Sequence, residues 1–270
     1  MPYLHVPPLQ LGPITIHAFG VLAMLAIVLG AKASRRRAVE LGLEPGVIDQ
    51  AIPWIVVGVF VVAHLVAVLL YHPERVARDP LVLLRFWDGI SSFGGFFGGL
   101  FAAVLFFRLR KVKVKKYSEA MIFGAVVALA VGRVGCSVAH DHPGKVTDSP
   151  LAVKGWPTAE TPKRGLGFYT EGPRRHDLGF YELLLLIPIT VLMYALKCVR
   201  PFEGFHIVLA LLLYTPVRFF LDFLRTADRH YLGLTPGQYF AALLFGVALV
   251  LMVQGVRKSG TGPPAAEAPA

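Results

Sequence analysis

The chain has 270 residues, of which 55% are apolar and only 16% charged, against roughly 25% charged in a soluble domain. With a mean hydropathy of +0.61 and apolar blocks near the ~20 residues that a bilayer-crossing helix needs, the composition excludes a soluble protein and indicates a polytopic membrane protein. The net charge of +10 follows from basic loops that orient such a chain and meet anionic head groups, so no nucleic-acid partner is expected.

In chain order, seven apolar segments are expected to be helices, at about residues 14–31, 52–71, 90–107, 120–138, 180–198, 205–221 and 239–256. Backbone groups in lipid have no water to bond, which forces such runs to be helical. The alternation of a membrane β-barrel is absent. The first segment does not read as a cleavable signal: no cationic stretch precedes it and no small-residue cleavage site follows. The third has the lowest helix propensity, because it holds Gly94, Gly95, Gly98 and Gly99. These form two small-xxx-small pairs, the pattern of close helix packing; room for acyl chains is the alternative.

The connections fix an expected orientation. The odd-numbered loops and the C-terminal tail carry 14 Lys and Arg, and the short even-numbered loops five. Basic residues stay cytoplasmic, so the N-terminus is expected outside and the C-terminus inside. The connection 139–179 is then external. Its stretch from Lys145 to Pro173 holds eight prolines and glycines, and loops of this length are functional or disordered. Residues 1–258 read as one seven-helix transmembrane domain, and 259–270 (SGTGPPAAEAPA) as a disordered tail.

Two of the 27 basic residues remain inside apolar segments, Arg133 and Arg218. An arginine there costs roughly 2.5–3.5 kcal/mol. Each has two readings, a structural ion pair or snorkelling side chain on one hand and a functional cation on the other. Both lie toward the outer end of their helices. Two guanidinium forks in one cavity suit a lipid phosphate, which each can bind in bidentate fashion. Tyr214 stands one turn before Arg218 and Asp222 one turn after, and Arg225 returns to the same face. Cys136 and Cys198 are too few for a disulfide framework, and Cys136 reads as a small packing residue.

At these residues the chain resembles the bacterial prolipoprotein diacylglyceryl transferases. The resemblance runs from HAFG at His17–Gly20 to Gly237–Gln238. It includes GRVGCSVAHDHPG (Gly132 to Gly144), the Tyr214–Arg218–Asp222–Phe223–Arg225 pattern, WDGISSFGG (Trp87–Gly95) and RHDLGFYE (Arg175–Glu182). It implies a multi-pass enzyme of the bacterial inner membrane. Such an enzyme moves the diacylglyceryl group of phosphatidylglycerol onto the lipobox cysteine of a preprolipoprotein signal peptide, with no cofactor or metal. The family departures are Gly94 for a histidine, Cys136 for an asparagine, Phe19 for a tyrosine and His64 for an arginine. Ala139, His140 and Asp141 stand where the family has Asn-Gly-Glu. These leave open a second reading, a catalytically altered paralogue that holds phosphatidylglycerol or another phospholipid.

The residues expected to act in the chemistry are Arg133, Arg218, His140 and Asp141. His140 follows Arg133 by seven residues, so about two further helical turns would leave it on the same side as a base, with Asp141 to orient it. His-x-His without further ligands is a weak metal signal. The substrate-binding set is Arg133, Arg218, Tyr214, Arg225, Asp222, His64, Phe19, Asp88, Ser92, Gly95, Cys136, Gly144, Tyr181 and Glu182.

Overall fold

Long apolar runs satisfy their own backbone by hydrogen bonding within the helix, and the chain is built almost entirely that way. The structure is a computed structural model that describes residues 1–85, 89–158, 165–226 and 230–260. Helix α1 (Ala18–Glu40) leads to α2 (Pro45–Val66), which widens into a π-helical turn at Ala67–Tyr71. The short α3 (Pro73–Arg78) and a 3-10 turn (Pro80–Leu84) precede α4 (Ser92–Leu109). Then come α5 (Val114–Ala139), α6 (Leu178–Ala195), α7 (Phe205–Leu221) and α8 (Pro236–Gly260). Among the described residues six helices are long and apolar enough to cross a membrane, and α4 contributes a shorter apolar stretch, Phe93–Leu109. The chain is an all-helical, multi-pass membrane protein.

Several ends differ from expectation. Residues 14–16 do not begin the first helix: Ile14–Ile16 (β3) pairs with Leu9–Leu11 (β2) as a hairpin. Gly12, at a φ of 60°, and Pro13 supply the turn. Helix α2 starts at Pro45, seven residues before the apolar run, because a proline in the first turn presets the helical φ and gives up no intrahelical bond. Helix α8 runs through Gly260, past the expected start of the tail at Ser259; the tail from residue 261 on lies outside the described residues.

Helix α1 packs on α5, α2 on α4, α5 on α6 and α7 on α8. The α2–α4 contact is close because of glycine. A Cβ on Gly98 would stand 2.6 Å from the Val62 Cβ and press into the Gly58 carbonyl. One turn earlier, a Cβ on Gly94 would stand 2.7 Å from the Val62 carbonyl oxygen and 2.8 Å from the Ala63 Cα. These glycines serve packing, the first of their two expected roles.

The connection after α5 is a folded cap. Strand β4 (Pro143–Val146) pairs antiparallel with β6 (Arg175–Asp177), and β5 (Gly167–Tyr169) pairs antiparallel with β1 (Tyr3–His5) from the N-terminal segment. Tyr3, Val153 and Trp156 form a small core of their own. Because β4 closely follows α5 and β6 runs directly into α6, the cap is fixed over that end of the bundle. The ends it covers carry the two intramembrane arginines.

Candidate active site

Helix α6 opens on Asp177, whose side chain accepts the Phe180 N–H at 3.0 Å. Glu182 then falls just over a turn into the helix, with no exposed surface. A lone carboxylate there would cost several kcal/mol, and three side chains compensate it. Arg133 of α5 approaches it at 2.8 Å, Arg218 of α7 at 3.6 Å, and the Tyr214 hydroxyl donates to it at 2.8 Å. Arg218 also bonds Asp222, one turn on, at 2.7 Å. Asp222 faces Arg225 at 3.7 Å and accepts a short hydrogen bond from Thr235 at the foot of α8. Three helices and the start of a fourth are thus tied by one charged network. Within these five charged side chains, three guanidiniums face two carboxylates, which leaves one positive charge.

The other edge of Arg133 faces the cap. Its Nη1 lies 3.5 Å from the Cys136 Sγ and 3.5 Å from the His142 Nε2. A guanidinium only donates, so the His142 Nε2 is the acceptor of that contact and the Nδ1 carries the ring proton. That Nδ1–H points at the Asp141 carboxylate in a short hydrogen bond. His142 is buried, whereas the Asp141 side chain is 38% exposed. Cys136, Asp141 and His142 offer atoms within 4.8 Å of one another, a spacing that a metal ion also uses. A metal ion there would stand against the fixed charge of Arg133.

His140 is turned elsewhere. Helix α5 ends at Ala139, and His140 takes a left-handed conformation at a φ of 49°. Its Nδ1 meets Asp177 at 2.6 Å, and its ring stacks on Tyr3 at 4.1 Å with Trp156 edge-on. Burial, and then the Asp177 charge, raise the Tyr3 phenol above its ordinary pKa, which keeps it neutral in this stack. The helix runs on from Arg133 as far as Ala139, but the left-handed turn at His140 itself carries that side chain away from Arg133 and onto Asp177.

A sequence model of the prolipoprotein diacylglyceryl transferase family matches residues 8–254. The chain belongs to this family. Among its relatives, the phosphatidylglycerol–prolipoprotein diacylglyceryl transferase of Chromohalobacter salexigens is 34% identical over 82% of this chain and 79% of its own length. Proteins of the same name from Rhizobium leguminosarum and Francisella tularensis are 26% and 29% identical, over 96% and 95% of this chain and 95% and 97% of their own lengths.

Of the other residues expected in a diacylglyceryl transferase site, Gly144 bridges to Arg225 of the network. Phe19 packs on Gly135, where an added Cβ would stand 3.2 Å from its ring. Gly144 is pressed between His176 and the Leu224 carbonyl, and Arg175 donates to its own carbonyl at 3.2 Å. Tyr181 bonds His176 at 2.9 Å. His64 is elsewhere: both ring nitrogens face backbone carbonyls, of Gly89 at 3.1 Å and Val82 at 2.9 Å, so it fastens the connection between α2 and α4. Gly95 stands against Val59 and Ala63 of α2. Asp88 and the Ser92 side chain lie outside the described residues. Sequence reasoning passed over Asp177, Thr235 and the orientation of His142. It named Glu182 without seeing that the carboxylate joins both arginines; a tally of acids inside apolar segments would have singled it out.

Proposed function

We propose that the chain transfers the diacylglyceryl group of phosphatidylglycerol to the lipobox cysteine thiol of a preprolipoprotein, forming a thioether and releasing glycerol phosphate. The observation that carries this reading is the convergence of Arg133 and Arg218 on one buried point, with a net positive charge. A phosphodiester brings one negative charge, and its departure from the glyceryl carbon needs charge stabilisation at its oxygens. Two guanidinium forks supply that, with Glu182 and Tyr214 holding them in register before lipid enters. The chemistry needs no cofactor.

Seven spans, with α4 as the third crossing, an external N-terminus and a cytoplasmic C-terminus accord with the 14-to-five distribution of loop charge. That orientation puts the arginine network and cap on the outer side of the bacterial inner membrane, where a translocated signal peptide presents its lipobox. Purified protein in phosphatidylglycerol vesicles, given a lipobox peptide, is expected to yield the thioether-linked peptide and glycerol phosphate. Lipid binding without product would instead make this a binding paralogue, a reading favoured by the closed packing at Gly94.

A further inference from the structure

The transfer has two halves, and the arginine network accounts for only one. A thiol has a pKa near 8.5 when free and attacks as the thiolate, so at neutral pH something must take its proton. Glu182, the buried carboxylate, is already paired with both arginines and does not serve as that base. Facing that network from the cap side is the His142 imidazole, whose Nε2 lies 3.5 Å from the Arg133 Nη1.

We propose that His142 takes the proton of the incoming thiol, with Asp141 as its positioning residue. The proposal rests on the transferase reading above. The geometry that carries it is the chain from the exposed Asp141 carboxylate, through His142, to Arg133 at 3.5 Å. Asp141 fixes the tautomer that leaves Nε2 unprotonated, and it stabilises the imidazolium once formed. The charged and titratable groups facing His142 are Arg133 and Cys136 from α5, Glu182 from α6 and Asp141 from its own loop.

The step balances. The S–H bond breaks and its proton passes to Nε2, leaving the thiolate. The sulfur electron pair forms the C–S bond to the glyceryl carbon, and the C–O bond to phosphate breaks with its electrons on oxygen. The imidazolium then returns its proton to the departing phosphate monoester, which leaves as glycerol phosphate.

The test compares wild type with His142→Gln and Asp141→Asn in phosphatidylglycerol vesicles with a lipobox peptide. Abundance in the membrane and lipid binding are measured alongside. His142→Gln is expected to lower kcat about 100-fold at neutral pH with lipid binding unchanged. Its rate should then climb about tenfold per pH unit toward the free-thiol pKa, as the peptide ionises without help. Asp141→Asn, altered at an exposed position, should fall about tenfold with the same alkaline recovery. Wild-type kcat in both variants, or a pH-independent loss accompanied by lost lipid binding, overturns the role of His142 and leaves the transferase reading intact. No turnover by wild type with bound lipid overturns both.

Discussion

Arg133 has a structural task and a chemical one, and a double-mutant cycle with Glu182 separates them. The guanidinium and carboxylate approach at 2.8 Å, with side chains 6% and 1% exposed. Their charge centres are roughly 4 Å apart, which at an effective dielectric constant near 20 corresponds to about 4 kcal/mol. That agrees with the 3–5 kcal/mol usually lost when one partner of a buried pair is removed. Arg133→Ala should therefore lower the thermal midpoint in detergent, although Arg218, at 3.6 Å, continues to face Glu182. The double variant Arg133→Ala/Glu182→Gln removes the stranded charge and should recover part of that loss. Turnover is a different matter. Losing a phosphate contact worth at least ~2 kcal/mol lowers activity at least ~30-fold, and neutralising Glu182 cannot restore it. Initial rates of glycerol phosphate release, set beside melting curves for the four proteins, give the cycle. A double variant that regains wild-type rate would show that Arg133 only satisfies Glu182, and the phosphate clamp would be refuted.

Arg218→Lys should retain membrane abundance yet recover less than a tenth of wild-type turnover, because an ammonium cannot reproduce contacts to Glu182 and Asp222 together; initial rates check this. Reporters fused at Lys113 and after Ser259 should read cytoplasmic and one inserted near Lys163 external, on the loop-charge imbalance. A cytoplasmic signal from Lys163 inverts the orientation. Gly94→His should destabilise the bundle by about 1–3 kcal/mol with no gain in turnover, because its Cβ meets α2 backbone at 2.7–2.8 Å. A variant as stable as wild type and faster would contradict that packing.

The helices were legible because hydropathy reports burial in lipid, but it reports less of where hydrogen bonding begins. That is why α2 and α5 start seven and six residues before their apolar runs, at Pro45 and Val114. Those leading residues include Asp49, Lys115 and Lys116, all exposed, and they sit where water solvates charge without ending the helix. Arg133 and Arg218 stood out because charge inside an apolar run has so few bland explanations. The exchange of His140 for His142 beside Arg133 was not legible. Positions two residues apart trade places when a single residue, His140, takes a positive φ and turns the chain out of the helix. Nothing in HDH marks that reversal. The β1–β5 pairing was invisible for a related reason: three-residue strands have no periodicity of their own.

That pairing also sets a timetable for assembly. His5 and Gly165 are hydrogen-bonded across 160 residues of chain, and Tyr3 has no stacking partner until His140 and Trp156 exist. At a synthesis rate of 5–20 residues per second, the N-terminal strand waits about 8–30 s for its complement. Arg133 on α5 is also made before Glu182 on α6 and before β6, the strand that completes the cap. For about 2–10 s at that rate Arg133 has been made and Glu182 has not, so the ion pair that compensates both charges forms late.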